Sequence, residues 1–201
     1  MAERLYDKSL SIKTVGRREW RDRSVKFNRY EATPYDALDK LFDAYKIRKT
    51  DKVVDFGCGR GRVVFYIHNR FHVPVTGIEV HDLTYSEAVE NKSSYRFKNK
   101  HIKAPIKFKY CLAQHYQVKP SDNIFYFFNP FKVDIFKKVV KNILASVKEH
   151  ERTVDIILYY PMLEYKKFLK EETPFRLINK VRLPAVNDSR EKFLIYRLRP
   201  N

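Results

Sequence analysis

The sequence lacks most of the features that indicate a disulfide-rich, metal-binding or membrane protein. It has only two cysteines, Cys58 and Cys111, and no CxxC pair or Cys/His cluster, which argues against a disulfide scaffold and a zinc site. No stretch approaches the roughly 20 apolar residues of a membrane span, and the charged N-terminal segment has no signal-peptide core. We therefore expect a cytoplasmic protein with no metal and no membrane association.

Glycine is also scarce, and its distribution is uneven. Three of the five glycines, Gly57, Gly59 and Gly61, are spaced two apart in the segment VVDFGCGRGRVVFYI, residues 53–67. Glycine is needed where the backbone takes a positive φ or where another group approaches it closely. We interpret this segment as a strand-to-helix turn at which a ligand meets bare backbone.

What the chain has in excess is positive charge. It carries 41 Lys and Arg against 24 Asp and Glu, a formal net charge of +17. This excess favours nucleic acid or another polyanion as a partner, although a basic enzyme whose charge is incidental has the same composition. The hydrophobic content of 44% is typical of a folded chain, and 201 residues suit one α/β domain.

Apolar patterning predicts strands that alternate with helices. The predicted strands are 52–57, 74–80, 106–113, 123–131, 153–160, 175–183 and 191–199. The last two are too close in sequence for a crossover helix, so they are expected to form an antiparallel hairpin. The pattern predicts a three-layer, doubly wound α/β fold with a mostly parallel seven-stranded sheet and an antiparallel last strand. Residues 1–32 form a basic N-terminal extension and residues 33–201 a single domain, whose first helix starts at Thr33 as N-cap.

Two acids accompany the glycine turn. Asp55 ends the first strand, two residues before Gly57, and Glu79 ends the second strand. A carboxylate at the position of Asp55 disfavours a pyrophosphate, and therefore NAD, but attracts a ligand with an ammonium and a sulfonium group. Glu79 can accept hydrogen bonds from both hydroxyls of a ribose. S-adenosylmethionine carries all of these groups.

The segments VVDFGCGRGR and GIEV resemble the first two motifs of the class I, Rossmann-like, S-adenosylmethionine-dependent methyltransferases. The terminal hairpin also matches that family's sheet, and the resemblance covers about residues 33–199. It implies a methyltransferase with S-adenosylmethionine as cofactor. The family's acid after the third strand is missing, and Ala113 and Gln114 are the substitutes we expect to contact adenine. The other cofactor-binding positions that the resemblance implies are Asp55, Gly57, Cys58, Gly59, Gly61, Glu79 and Val80.

The fourth strand ends in FFNPF, and Asn129, Pro130 and Phe131 resemble the Asn-Pro-Pro-Tyr motif of methyltransferases that act on planar amines. The second proline is missing. The resemblance implies that Asn129 and the Pro130 carbonyl accept hydrogen bonds from an amine and that the Phe131 ring stacks on it. The alternative is that Asn129 caps the next helix and that Phe131 lies in the core or in the wall of the cofactor pocket.

The segment RYEATPY resembles the part of amino-methylating DNA enzymes that covers the cofactor. The resemblance implies that Tyr30 and Tyr35 cover the methionine end, and an ordinary helix start is the alternative. Two basic segments with interleaved aromatics, 13–29 around Trp20 and 92–109, are candidate nucleic-acid contacts. The alternative is that each is a solvated polar face with some aromatics in the core. RNA recognised by shape is favoured over DNA, because the chain has no room for a separate recognition domain. A small-molecule or protein substrate and a non-catalytic binding role remain alternatives, and the oligomeric state is open.

Overall fold

A computed structural model of the chain describes residues 2–17, 30–183 and 188–200. The strands are Val53–Phe56 (β1), Val75–Glu79 (β2), Ile106–Tyr110 (β3), Ile124–Phe127 (β4), Val154–Tyr159 (β5), Arg176–Arg182 (β6) and Lys192–Leu198 (β7). The helices are Ala2–Leu10 (α1), Tyr35–Ala44 (α2), Arg62–Phe71 (α3), Asp82–Lys98 (α4), Val133–Glu149 (α5) and Leu163–Glu171 (α6).

The strands form one seven-stranded sheet in the order β3-β2-β1-β4-β5-β7-β6. Pairing is parallel from β3 across to β5, whereas β7 is antiparallel to both β5 and β6. The short connection after β6 forces a hairpin, which inserts β7 between β6 and β5. The predicted doubly wound fold and its antiparallel last strand are confirmed.

Helices cover both faces of the sheet. One buried cluster includes side chains of α1, α2, α3 and α4, and a second includes side chains of α5 and α6. Successive residues of β1 divide between them, with Val53 in the first cluster and Val54 in the second, because side chains alternate along a strand. Within the described part of the chain, no helix is long and apolar enough to cross a bilayer.

The start of α2 differs from the expectation. The helix begins at Tyr35, and Thr33 does not cap it; its hydroxyl instead forms a hydrogen bond of 2.8 Å with the Tyr126 hydroxyl in β4. Both side chains are buried, so each hydroxyl needs a partner inside the protein. A contact between residues so far apart in sequence overrides the local capping pattern.

The described part of the N-terminal segment packs against the sheet domain. Leu10 and Ile12 belong to the first core cluster. Asp7 is buried and accepts hydrogen bonds from the Thr14 hydroxyl at 2.7 Å and the Tyr35 hydroxyl at 2.6 Å. A buried carboxylate with several donors holds α1 and the chain after it in place.

Candidate functional site

The candidate site lies at the edge of the sheet where the parallel strands end. β1 lies between β2 and β4, and the chain proceeds from β1 first to one side and later to the other. Such a reversal of strand order is the point at which open α/β sheets bind ligands. The glycine loop follows β1 directly at this point.

The glycine loop has left-handed backbone at all three glycines. The φ angles are 74° at Gly57, 55° at Gly59 and 89° at Gly61, values that residues with side chains rarely adopt. The N–H groups of Gly57 and Cys58 both donate to the Ile78 carbonyl, at 2.9 and 3.0 Å, which fixes the loop to the end of β2.

Protein side chains fill the space beside two of these glycines. A Cβ atom at Gly57 would lie 2.3 Å from the Cβ of Pro130, and one at Gly59 would lie 2.2 Å from the ring of Tyr30. These two side chains occupy the space into which a Cβ would point, and the expected approach of a ligand to the backbone of Gly57 and Gly59 stays a prediction. The absence of a side chain here serves contacts that the protein makes with itself.

Gly61 and Cys58 also serve packing. A Cβ at Gly61 would meet the ring of Phe108 at 2.7 Å, so glycine lets the start of α3 pack closely against β3. The Cys58 thiol is buried beside β2, where a Cβ at Gly77 would lie 2.6 Å from its sulfur. The Cys58 side chain is thus a packing contact, and the predicted contact of this position with a cofactor stays a prediction.

Asp55 is buried at the end of β1, in register with Gly77 of β2 and Tyr126 of β4. Burial raises the pKa of its carboxyl to about 8, and the nearby Glu79 carboxyl adds to the rise. A cation beside Asp55 would favour its ionised form and reverse this shift. The electrostatics at this point therefore favour a positively charged ligand.

Glu79 is buried at the end of β2, and backbone donors fix its orientation. Its Oε2 accepts from the Gly59 N–H at 3.0 Å, and its Oε1 accepts from the Val80 and His81 N–H groups at 2.7 and 2.9 Å. Burial raises the pKa of Glu79, and the three donors oppose that rise. Each carboxylate oxygen can accept two bonds, so Oε2 has capacity for one more donor. The roles predicted for Glu79 with ribose and for Val80 with adenine stay predictions.

The two residues expected at adenine lie in a short 3-10 turn, Ala113–His115, after β3. Ala113 is buried in the second core cluster. The side-chain oxygen of Gln114 is buried and has no hydrogen-bond partner among the described residues. A buried acceptor without a donor is costly, and the exocyclic amine of adenine is a donor. This oxygen fits the group that the missing acid would have bound.

Asn129 follows β4 in a left-handed conformation, with a φ of 41°. Its amide nitrogen Nδ2 donates to the backbone carbonyl of Tyr160, which follows the neighbouring strand β5. The helix α5 has Lys132 at its N-cap position, so the alternative that Asn129 caps this helix is wrong. The bond to Tyr160 orients the amide and makes Oδ1 its acceptor atom.

The other two residues of the motif have different environments. Pro130 packs against Gly57 of the glycine loop. Phe131 is 2% exposed, and its ring centroid lies 6.2 Å from that of Phe127 in an edge-on contact. The predicted stacking of Phe131 on a substrate is therefore wrong, and its core placement is the one that the alternative described. Asn129 and Pro130 lie at the edge of the sheet where the parallel strands end, next to the glycine loop.

The two tyrosines expected at the cofactor are placed differently. Tyr30 lies over Gly59, and its hydroxyl donates to the Thr14 carbonyl at 2.7 Å. Tyr35 is buried and donates to Asp7 of α1 at 2.6 Å. Tyr30 is therefore in contact with the glycine loop, whereas the contacts of Tyr35 anchor α1. Their contact with a cofactor stays a prediction.

Sequence reasoning missed Arg62, the first residue of α3. Its guanidinium is buried, donates to the Thr14 hydroxyl at 2.7 Å and lies 3.8 Å from the Asp7 carboxylate. It also lies 4.4 Å from the centre of the Tyr35 ring. Arg62 thus joins the helix after the glycine loop to the N-terminal segment. An arginine in an amphipathic helix normally indicates a surface position, so the sequence carried no signal for this role.

Sequence reasoning also missed Tyr160, which has a φ of 49°. Its hydroxyl donates to the Asp188 carboxylate, and the Arg190 guanidinium lies 4.9 Å from the centre of its ring. Tyr160 and Asn129 are two left-handed, non-glycine residues at the ends of adjacent strands, joined by a hydrogen bond. Strained backbone of this kind concentrates at functional sites. Tyr160 is a half-buried residue whose backbone is bonded to the Asn129 side chain.

The basic segment 92–109 has a mixed role. Tyr95 is fully buried and Phe108 packs against the first core cluster, as expected if its aromatics belong to the core. Phe97 is 77% exposed, with the Lys100 ammonium 4.5 Å from its ring centre. In the other basic segment, residues 18–29 with Trp20 lie outside the described residues.

No protein-family model matches the chain, and no curated protein sequence matches it. Solved structures do match its fold. The human methyltransferase 10 domain containing protein has a TM-score of 0.61 and 10% identity, over 98% of this chain and 93% of its own. A putative RNA methyltransferase from Pyrococcus horikoshii has a TM-score of 0.57 and 19% identity, over 97% of this chain and 96% of its own.

A third neighbour is the tRNA (uracil-54, C5)-methyltransferase of Pyrococcus abyssi, in complex with S-adenosyl-L-homocysteine. It has a TM-score of 0.56 and 14% identity over 81% of this chain, and the match spans only 38% of the Pyrococcus abyssi chain. At these identities the likeness establishes the fold. The chain has the class I methyltransferase fold, as the motifs predicted.

Proposed function

We propose that this chain is an S-adenosylmethionine-dependent methyltransferase that methylates an amine of a nucleic acid, with RNA as the favoured substrate. The observation that carries the proposal is the pair of buried carboxyl groups, Asp55 and Glu79, at the glycine loop of this fold. A buried acid whose pKa is raised by burial and a second acid is suited to a cationic ligand. S-adenosylmethionine is cationic at two positions, whereas NAD would bring a pyrophosphate to the same place.

The described residues fit the parts of this cofactor. Asp55 would bind its ammonium group, and the remaining capacity of Glu79 Oε2 would serve a ribose hydroxyl. Gln114 Oε1 would accept a hydrogen bond from the adenine amine. The bound cofactor supplies a methyl group on a positively charged sulfur. The Pyrococcus abyssi neighbour is bound to S-adenosyl-L-homocysteine, which supports this choice of cofactor.

Asn129 is the proposed contact of the substrate amine. Pro130 packs against Gly57 and so keeps Asn129 near the glycine loop. An amine that donates to Asn129 Oδ1 would keep its nitrogen lone pair directed at the methyl group, so positioning replaces a strong base. Because Phe131 is buried, we assign the stacking surface to the ring of Tyr160, a half-buried residue whose backbone carbonyl accepts from Asn129.

RNA is favoured by the charge of the chain. A formal net charge of +17 on 201 residues suits a partner with a phosphate backbone. Two structural neighbours are described as a tRNA methyltransferase and a putative RNA methyltransferase, which supports the same substrate class. A small-molecule substrate is the outcome that would contradict this part of the proposal.

Calorimetry with S-adenosylhomocysteine tests the cofactor. Asp55→Ala and Glu79→Gln each remove a charge-assisted hydrogen bond worth roughly 1.5–3 kcal/mol, so the affinity should fall about 10- to 150-fold. Asp134→Asn removes an exposed carboxylate from α5 and should leave the affinity unchanged. Tight binding of NADH together with no response to S-adenosylhomocysteine would overturn the proposal.

Transfer of a tritiated methyl group tests the substrate. The protein and labelled cofactor are incubated with RNA, DNA, protein and small-molecule fractions from cells that lack the gene. We expect label in the RNA fraction, and Asn129→Ala should abolish most of it. Label in the small-molecule fraction alone would reject RNA as the substrate and keep the methyltransferase assignment.

A further inference from the structure

Four basic residues lie near one another at the carboxyl edge of the sheet, on the side of Tyr160. They are Lys166 in α6, Lys180 and Arg182 in β6, and Lys192 in β7, and we call them the hairpin cluster. The sequence did not single out this group, because its members come from three separate segments. Only the β6–β7 hairpin and its contact with α6 bring them together.

The register of the hairpin places like charges opposite each other. Arg182 and Lys192 are directly paired across β6 and β7, and Lys180 lies two residues before Arg182 on the same face. Like charges in directly opposed positions destabilise a sheet. Burial and the charges of Lys180, Lys166 and Arg182 lower the pKa of Lys192, which agrees with this proximity. An arrangement that is unfavourable for the free protein becomes favourable when an anion binds it.

The acids near the cluster already have other partners. Asp188 accepts from the Tyr160 hydroxyl and forms an ion pair with Arg190 at 2.9 Å. Glu191 accepts from the Tyr159 hydroxyl at 2.8 Å. Among the described residues, no ion pair is formed by a member of the hairpin cluster. No carboxylate in this part of the chain is thus paired directly with the cluster, and the Asp188 charge only partly opposes the fall in the Lys192 pKa.

The cluster is connected to the candidate substrate site by two consecutive hydrogen bonds. The Lys192 carbonyl accepts from the Tyr160 N–H at 3.1 Å, and the Tyr160 carbonyl accepts from the Asn129 side chain. The basic residues at the end of α4, in segment 92–109, are far from this site. α4 starts at the carboxyl edge after β2 and, with 17 residues, is about 25 Å long, so Lys98 and Lys100 lie at the opposite edge of the sheet.

We propose that the hairpin cluster binds the phosphates of RNA next to the nucleotide whose base lies at Asn129 and Tyr160. This inference rests on the proposed function, since it takes RNA as the substrate of that site. Several cations spread over two strands and a helix suit consecutive phosphates of one backbone. The base would be read at Asn129, and the cluster would hold the strand in register.

Three variants with equal loss of charge test the inference. The first is Lys180→Gln, Arg182→Gln and Lys192→Gln in the hairpin cluster. The second is Lys98→Gln, Lys100→Gln and Lys103→Gln in the segment 92–109, and the third is Lys138→Gln, Lys141→Gln and Lys148→Gln on the exposed face of α5. Binding of a fluorescein-labelled RNA hairpin is measured by anisotropy over a salt series, and S-adenosylhomocysteine affinity reports on folding.

The hairpin-cluster variant should reduce the slope of log affinity against log salt by about 2, because each phosphate contact contributes about 0.7–0.9 to it. The other two variants should change the slope by less than half as much. A slope equal to that of the α5 variant, or a larger loss in the 92–109 variant, would overturn the inference. So would a wild-type protein that binds S-adenosylhomocysteine but no RNA, whereas failure to bind S-adenosylhomocysteine would overturn the proposed function itself.

Discussion

Replacing Asp55 with asparagine should make the free protein more stable while weakening its cofactor site. The carboxyl has its ordinary pKa of 3.8 in the unfolded chain and a pKa of about 8 in the fold. Between these values, folding requires the uptake of a proton, so this group lowers the free energy of unfolding as the pH rises from about 4 to about 8. Asparagine has nearly the same shape as aspartate, and it does not have to take up a proton when the chain folds.

The magnitude follows from the pKa difference. At pH 7 the solution lies about 3 units above the unfolded pKa, and each unit corresponds to about 1.4 kcal/mol, so the penalty removed is about 4 kcal/mol. A buried amide that lacks a complete set of partners costs about 1–2 kcal/mol in return. We therefore expect the free energy of unfolding to rise by about 2–3 kcal/mol at pH 7 and to fall by about 1 kcal/mol near pH 4, where the acid penalty is nearly absent and the cost of the amide remains.

Urea unfolding followed by circular dichroism over the range from about pH 4 to about pH 8 measures this difference. Asp134→Asn, which removes an exposed carboxylate from the first turn of α5, is the control and should change the free energy of unfolding by less than about 1 kcal/mol. A variant that is no more stable than the wild type, or whose gain does not grow with pH, would refute the account of Asp55 as a buried acid. The gain in stability should coincide with the loss of S-adenosylhomocysteine binding, as expected for a site that is strained without its ligand.

Three further predictions concern the same edge of the sheet. S-adenosylhomocysteine affinity, measured by calorimetry, should increase as the pH rises from about 6 to about 8, because the ligand's ammonium binds the ionised form of Asp55. An affinity that does not change with pH would show that the ammonium does not bind Asp55. Gly59→Ala should lower thermal stability by about 2 kcal/mol or more, because an L-residue is strained at a φ of 55° and its Cβ would lie 2.2 Å from the Tyr30 ring. Adding Tyr30→Ala should recover only the steric part, and full recovery would contradict the backbone argument. Asn129→Ala should reduce methyl transfer at least about 100-fold with little change in cofactor affinity, because the contact matters most in the transition state; equal losses in both would make Asn129 structural.

The order of elements could be predicted from the sequence because it depends on local patterns. Apolar patterning located the seven strands, and the short connection after β6 required a hairpin, whereas the helix α1 was not predicted. The positions of Asp55 and Glu79 followed from the same reasoning, since each acid ends a parallel strand and such ends share one edge. The class I methyltransferase fold was thus determined by short segments and their order.

The tertiary structure decided the features that depend on residues far apart in the chain. Thr33 bonds to Tyr126 instead of capping a helix, and the ring of Phe131 occupies the core instead of the substrate site. Local sequence describes what a side chain can do, whereas burial and the available partners decide what it does. For the same reason the sequence did not indicate the bond from Asn129 to Tyr160.

The clearest example is positive charge. The sequence by itself determined that the chain is strongly basic. The segments with the highest density of Lys and Arg along the sequence are 13–29 and 92–109. Only the folded hairpin shows that Arg182 and Lys192, ten residues apart, face each other beside the carboxyl edge. The density of charged residues along the sequence counts only neighbours in the chain. The electrostatic field depends on distances in space, and strand pairing sets those distances here.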